Sequence, residues 1–144
     1  MDNKKSFPLN GLRVCIDSME NGEMSGAFYT PMDGETHFAT GFEDFVLKAD
    51  RLFDKYGYPQ AYMTGRSFQE GTDTGNHYHG LPEAVRDYEE ISGFRGKVAT
   101  CDIIVESRRK ATWQGFVKDV QGNTLGNFEC MLEIIGIINE YFGE

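Results

Sequence analysis

Two stretches of the chain carry the same pattern of an amphipathic helix, and this repetition constrains the fold more than any other feature of the sequence. Residues 42–57 read FEDFVLKADRLFDKYG, and residues 128–143 read FECMLEIIGIINEYFG. When Phe42 is aligned with Phe128, apolar residues fall at i, i+3, i+4, i+7, i+10 and i+14 in both stretches. That spacing predicts two helices, each with one buried face.

Residues that favour helix ends flank both stretches. Thr40 and Glu43 have the spacing of a capping box, in which each side chain accepts a hydrogen bond from the other residue's backbone N–H. Gly57 followed by Pro59 predicts the end of the first helix, because glycine accepts the left-handed conformation and proline cannot continue a helix. Asn127 is the predicted N-cap of the second helix.

The similarity extends upstream of both helices. Residues 14–28, VCIDSMENGEMSGAF, align without a gap on residues 103–117, IIVESRRKATWQGFV. Alternating apolar residues rich in β-branched and aromatic side chains predict a strand, a polar turn and a second strand in each copy. Each copy is therefore predicted to form a ββ(β)α unit. Either duplication of one unit or convergence on a common pattern explains the similarity.

Two units are too few for a solenoid, which needs at least about three repeats. They are instead expected to share one antiparallel sheet, with both helices on one face. The predicted fold is α+β, in a single domain of residues 1–144. Its parts are the first unit (residues 11–57), the insert (residues 58–96) and the second unit (residues 97–143). Within the insert, the sequence predicts an extended segment from Ala61 to Gln69 and a short helix over residues 82–91.

The charge of the chain is negative and uneven. The net charge is −9, with 8 Lys and Arg against 16 Asp and Glu in residues 1–91 and 6 against 7 in residues 92–144. Because nucleic-acid binding depends on Lys and Arg at the phosphates, this composition argues against a general nucleic-acid binder. The acidic part is expected to attract a basic partner or to keep the protein in solution.

The lack of a recognisable membrane span or secretory signal and the pattern of cysteines together predict a cytoplasmic protein. The chain has no run of about 18 apolar residues, which a membrane-spanning helix requires. Its first residues, MDNKKSFPLNG, have two lysines but no apolar stretch behind them, unlike a secretory signal. Cys15, Cys101 and Cys130 are widely spaced and odd in number, which predicts small buried hydrophobes in a reducing compartment.

The insert contains the residues with the spacing of a possible divalent-metal site. Asp73, His77 and His79 lie in a Gly- and Thr-rich segment, and imidazoles at i and i+2 of an extended chain point to the same side. Metal sites need three or four ligands, and no further ligand follows from the spacing, so the alternative is a polar loop with no ligand. Arg66, earlier in the insert, is a candidate anion anchor.

The electropositive run ESRRKATWQG, residues 106–115, is a second candidate site. Arg108 and Arg109 beside Trp113 could bind a ligand by stacking on a base or nucleotide ring. The alternative is a charged turn, with Trp113 packed in the core at the place that Met24 takes in the first copy. The alignment of the two copies favours this alternative.

The second helix carries more apolar residues than one buried face needs. Ile134, Ile137 and Tyr141 fall outside the predicted stripe. A helix that is apolar over most of its circumference must be covered on a second side. The cover is either another part of the chain or a second copy, in which case these three residues form a homodimer interface.

Several stretches resemble a group of small proteins from Firmicutes bacteria that have no known activity. The resemblance is carried by ATWQGFV (residues 111–117), NFECMLEII (residues 127–135) and LFDKYGYPQAYMTGRSF (residues 52–68). The chain departs from the group in its histidine-containing insert, and at Cys130, where the group has serine. The resemblance implies a recurring domain and transfers no catalytic residue.

These observations predict a non-enzymatic cytoplasmic binding or accessory protein that acts through protein contacts, with itself or with another protein. The sequence contains no dinucleotide-binding, phosphate-loop, serine-hydrolase or zinc-protease motif. Two alternatives remain: a small-ligand or metal-binding protein that uses His77 and His79, and an acidic inhibitor that mimics nucleic acid.

Overall fold

The computed structural model of the chain describes residues 7–20, 23–59, 61–62, 83–109 and 112–142. Within these ranges the elements are, in order, β1 (Gly11–Glu20), β2 (Glu23–Tyr29), β3 (His37–Thr40), α1 (Phe42–Tyr56), β4 (Ala61–Tyr62), α2 (Tyr88–Ser92), β5 (Ala99–Arg109), β6 (Gln114–Lys118), β7 (Thr124–Phe128) and α3 (Met131–Phe142). None of the helices in the described parts is long and apolar enough to cross a membrane.

Six of these strands form one antiparallel sheet in the order β3-β2-β1-β5-β6-β7. The first strand of each unit lies at the centre, where β1 and β5 pair directly. The two-residue β4 runs parallel to the end of β5, with Ala61 opposite Arg108. The predicted α+β class and the shared antiparallel sheet are confirmed.

The main hydrophobic core lies on the face of the sheet that carries α1 and α3, called here the helix face. Alternate residues of β1 point into it, and the residues between them point to the opposite face. Both helices contribute to the same cluster, so they lie on one side of the sheet. The largest fully buried side chains in this core are Trp113, Phe28, Phe45, Phe53, Phe128 and Leu12.

Helix α1 agrees with the predicted bounds but not with the predicted N-cap. Its N-cap is Gly41, with φ of 102°, and no side chain caps it. The backbone N–H of Thr40 donates to Asp44 Oδ2 at 3.0 Å. The side chain that accepts from Thr40 is therefore that of Asp44, and the prediction that Glu43 accepts this hydrogen bond is wrong. Gly57 closes the helix in the left-handed conformation, as predicted.

Helix α3 begins three residues later than predicted. Phe128 is the last residue of β7, and Asn127 pairs with Phe116 in the sheet, so Asn127 is not an N-cap. The error arises because Phe128 lies three residues before Met131, which extends the helical spacing of apolar residues into the preceding strand. The alignment of Phe42 with Phe128 is therefore wrong, and Met131 is the residue that begins α3 as Phe42 begins α1.

The strand ladders of the two units have the same registers. Val14 pairs with Phe28 between β1 and β2, and Ile103 pairs with Val117 between β5 and β6. Each residue of the first pair lies 89 positions before its counterpart, the same separation that relates Phe42 to Met131. Both ladders also contain an irregularity that starts two residues after Val14 or Ile103.

A glycine in each unit allows the second strand to approach the first closely. A Cβ atom on Gly26 would overlap the carbonyl oxygen of Cys15, and one on Gly115 would overlap the carbonyl oxygen of Ile104. The obstacle is backbone in both places, which cannot rotate away as a side-chain end can. A residue without a side chain is therefore required at these positions.

The end of the insert covers part of the sheet face opposite the helix face. The ring of Phe94 stacks on Tyr29 of β2, with centroids 3.8 Å apart, and the guanidinium of Arg86 lies against both rings. The helix predicted over residues 82–91 is shorter, because α2 begins after the N-cap Asp87, whose side chain accepts from the backbone N–H of Glu90 at 2.9 Å.

Candidate binding cleft

A cleft of about 510 Å³ lies on the face opposite the helix face, over β5 and β6. Its walls come from the N-terminal segment before β1, from α2 and from the turn between β6 and β7. Its lining residues include Phe7, Asp102, Ile104, Lys118, Asp119 and Val120. The volume falls within the range of about 300–1,000 Å³ typical of small-molecule sites.

The edge of the cleft floor is fixed by a buried ion pair between the two central strands. Arg13 and Asp102 are directly opposite each other in the β1–β5 ladder. The Arg13 Nε donates to Asp102 Oδ1 at 2.5 Å, and Nη2 donates to Oδ2 at 3.1 Å. The exposed fractions are 2% for Arg13 and 7% for Asp102. Both carboxylate oxygens of Asp102 are therefore occupied.

Arg13 also ties the insert to the sheet. Its Nη1 donates to the carbonyl oxygens of Ile91, Ser92 and Phe94, at 3.1–3.2 Å. Burial opposes the charge of the guanidinium, but the hydrogen bond and charge of Asp102 leave the pKa of Arg13 raised above its ordinary value. The side chain stays charged, and it orders the backbone that forms one wall of the cleft.

The apolar part of the cleft comes from Phe7 and Ile104. Both are buried, and the Phe7 ring also lies 5.9 Å from the Arg13 guanidinium carbon. Gly11 makes room for this packing, because a Cβ there would come within 2.7 Å of the Phe7 ring. The N-terminal segment is thereby held against the sheet.

The rim of the cleft is a tight turn organised by Asp119. Its Oδ1 accepts from the backbone N–H groups of Gln121 and Asn123, each at 2.9 Å, and its Oδ2 accepts from Asn123 Nδ2 at 3.2 Å. The hydrogen bond from the Asn123 backbone is the main cause that lowers the pKa of Asp119. Gly122 completes the turn with φ of 92°.

Lys118, at the end of β6, is a charged cleft residue without a partner among the described residues. It lies opposite Asp102 in the β5–β6 ladder, so its side chain is on the cleft face. Among the residues that the structure describes, its ammonium group makes no hydrogen bond, ion pair or ring contact.

Arg108 and Trp113, two of the predicted ligand-binding residues, lie in the interior on the helix face. Their exposed fractions are 3% and 0%. Arg108 Nη1 donates to Asp50 at 2.9 Å and to Asp54 at 3.0 Å, and the indole N–H of Trp113 donates to Asp50 at 2.9 Å. These side chains already have partners, which favours the alternative of a packed Trp113.

The other two predicted ligand-binding residues are Arg109 and Arg66. Arg109, the last residue of β5, is exposed, and Gln114 accepts from its backbone N–H at 2.9 Å. Arg66 lies outside the described residues, so the anion anchor stays a prediction.

The predicted metal residues Asp73, His77 and His79 also lie outside the described residues, and a metal site there stays a prediction. Within the described ranges, no group of three or more His, Cys, Asp or Glu side chains could hold a metal ion. The histidine that the structure does describe, His37, contacts the Asp33 carboxylate through Nε2 at 3.0 Å and stacks on Phe28.

The predicted dimer interface is wrong for Ile134, which has an exposed fraction of 0% in the core under α3. Ile137 is half-buried beside Gly126, and Tyr141 is exposed. Leu132, assigned to the buried stripe, is instead 72% exposed. The three-residue error in the start of α3 accounts for both differences, because it rotates the expected stripe away from the actual one.

The cysteines agree in part with the prediction of small buried hydrophobes. Cys15 and Cys101 are buried and Cys130 is half-buried, all as free thiols. Burial raises the pKa of Cys15 to about 11, and burial raises the pKa of Cys101 further. The thiolate is the reactive form, so these two thiols are protected from reaction at neutral pH.

A thiol-specific reagent at neutral pH is expected to modify Cys130 first. Cys15 and Cys101 should react at least about a hundredfold more slowly, because both protonation and burial block them. Mass spectrometry of the time course, with digestion to locate the label, measures this directly. Labelling in denaturant provides the control, since all three rates should then become similar. Rapid labelling of Cys101 in the native protein would contradict the described packing.

Comparisons of the chain with protein-family models, with curated proteins and with solved structures find no match. Membership of the group of small Firmicutes proteins therefore stays a prediction.

Proposed function

We propose that the chain is a non-enzymatic binding protein that holds a small molecule in the cleft over β5 and β6. The observation that carries this proposal is a concave site built before any ligand arrives. Its floor is fixed by the Arg13–Asp102 pair, and its rim is fixed by the Asp119 turn. Preformed sites bind more tightly because fewer groups must be ordered on binding.

The state of the cleft carboxylates supports binding over acid–base chemistry. A general acid or base must reach the reacting proton with a free oxygen. Asp102 has both oxygens engaged by Arg13, and Asp119 has both engaged by its own turn. Each carboxylate is therefore used to hold the site in shape.

Filling the cleft tests this proposal. The V120W variant places a large ring in the cleft, whereas V98W places the same ring at a position that is 49% exposed and does not line it. Nuclear magnetic resonance titrations with a set of small amphipathic molecules should shift amides around the cleft in the parent and in V98W, and not in V120W. Shifts confined to other parts of the chain would overturn the proposal.

A homodimer is the second candidate function. The excess of apolar residues in α3 no longer supports it, because the core accommodates Ile134. It now depends on Leu132 and Tyr141, exposed at 72% and 50%. If a second copy covers them, light scattering at micromolar concentration should give twice 16.3 kDa for the parent, and the monomer mass for L132Q. A monomeric parent would eliminate the dimer.

The internal repeat is also a proposal. It is supported by the constant separation of 89 residues between the two ladders and between the starts of the two helices. A smaller detail supports it too. The Thr40 N–H donates to Asp44, and at the same separation the Glu129 N–H donates to Glu133 at 2.7 Å. Two units that converged on a common pattern would not be expected to share both the strand registers and the hydrogen bond at the start of the helix.

A further inference from the structure

We infer that the cleft takes a small amphipathic anion, a carboxylate or similar acid on a compact apolar body, with its acid group at Lys118. This inference rests on the proposed function, because it names the class of ligand for the same cleft. It follows from three features of the site: the row of charges across the sheet, the partners of each charged group, and the apolar wall beside the remaining cation.

The first feature is a row of alternating charges on the cleft face. Arg13 on β1 is opposite Asp102 on β5, and Asp102 is opposite Lys118 on β6. The row therefore holds two cations and one anion, although the whole chain has a net charge of −9. With Asp119 at the rim, the four charges of the cleft and its floor balance, so an anion is attracted by the local field of Lys118, which the low-dielectric walls focus, and not by a net positive charge.

The second feature is that the two cleft carboxylates are already paired, whereas Lys118 has no partner in the part of the chain that the structure describes. Arg13 takes both oxygens of Asp102, and the β6–β7 turn takes both oxygens of Asp119. Lys118 has three N–H donors and no acceptor among the described residues. A ligand that supplies an acceptor oxygen there completes the site, whereas a cationic ligand finds no unpaired carboxylate among the described lining residues.

The third feature is the apolar wall beside Lys118. Phe7, Ile104 and Val120 line the same cleft, and a volume of about 510 Å³ leaves room for a compact apolar body. Burial of such a body supplies affinity, while the single cation orients the ligand. A fully hydrophilic anion such as inorganic phosphate would leave this wall without a partner.

Isothermal titration calorimetry with octanoate, octanamide and octylamine tests the inference, since the three probes share an apolar chain and differ in charge. Octanoate should bind the full chain about tenfold more tightly than octanamide, and octylamine should bind most weakly. The K118M variant keeps the apolar stem of the side chain and removes its charge. It should weaken octanoate about fivefold to tenfold and leave octanamide unchanged, the range expected for one partly exposed ion pair.

The matched control is K97M, which removes an exposed lysine that does not line the cleft. It should leave all three affinities unchanged. Thermal unfolding checks that both variants fold, and K118Q replaces K118M if that variant does not. Added salt should reduce the preference for octanoate.

Equal affinities for octanoate and octanamide would overturn the inference and leave the cleft as a neutral apolar site. A preference for octylamine, or no effect of K118M, would overturn it as well. The absence of binding by all three probes would reject this ligand class. The cleft-filling experiment with V120W judges the proposed function separately, because it does not depend on the charge of the ligand.

Discussion

The R13M variant is expected to lose about 3–5 kcal/mol of unfolding free energy, because it removes the arginine that takes both carboxylate oxygens of the buried Asp102. Asp102 is only 7% exposed, so water cannot replace the two hydrogen bonds it loses. The variant also removes the donor to the carbonyl oxygens of Ile91, Ser92 and Phe94, which releases the insert from the sheet. Chemical denaturation followed by circular dichroism measures the loss.

Two further variants separate the ion pair from a general effect of losing an arginine. R51M removes an exposed arginine of α1 and should change stability by less than about 0.5 kcal/mol. The double variant R13M/D102L replaces the pair with apolar side chains and should recover a large part of the loss, as buried pairs elsewhere do. A double variant no more stable than R13M would contradict the claim that the unpaired carboxylate causes the loss.

The second large effect is expected at the paired glycines. G26A and G115A should each cost about 3 kcal/mol or more, because the added Cβ overlaps a backbone carbonyl oxygen, of Cys15 in one unit and of Ile104 in the other. Neither oxygen can move without separating two strands of the sheet. Denaturation midpoints and their slopes measure both variants in one experiment.

The control for the glycine variants is G136A on the outer side of α3, where an added Cβ meets nothing within 4 Å. Alanine is the better helix former, so this variant should gain about 0.5–1 kcal/mol. If the two units are copies, G26A and G115A should have similar costs. Tolerance of alanine at one of the two positions would count against the equivalence of the units.

The sequence predicted the strands of the two units better than the second helix. Alternation predicted a strand, a turn and a second strand in each unit, and the separation of 89 residues in the ungapped alignment of Val14 with Ile103 matches the observed ladders. The helix was misplaced because Phe128 ends a strand yet continues the helical spacing to Met131. Periodicity within a window cannot separate two adjacent elements when their apolar residues happen to be three apart.

The cleft could not be predicted, because it depends on long-range packing. It exists because β1 pairs with β5 and because the insert covers the β1–β2 side of one sheet face. Neither arrangement follows from local pattern. One signal was present: Arg13 and Asp102 interrupt two apolar strands with opposite charges, and charged residues there are buried only when they are paired.

Arg108 and Trp113 were predicted from the sequence as a surface binding site, but both side chains are buried in the core. Arginines next to an aromatic residue are typical of sites that stack on a ligand ring. The same residues can also form cation–π contacts and ion pairs inside the protein. Here the Arg108 guanidinium lies 5.5 Å from the Phe53 ring and donates to two aspartates of α1. Both aspartates lie in α1, and the proximity of α1 to the end of β5 is a tertiary contact that local sequence patterns do not predict.

Native mass spectrometry of the protein, purified gently from its producing cells, would show whether the cleft over β5 and β6 holds a small molecule. The parent chain and V98W should retain a noncovalent adduct with the mass of a small molecule, and V120W should appear as the bare chain of 16.3 kDa. That result would place the ligand in the cleft over β5 and β6. An adduct that V120W retains in full, or a parent that carries no adduct, would be evidence against a small-molecule site in this cleft.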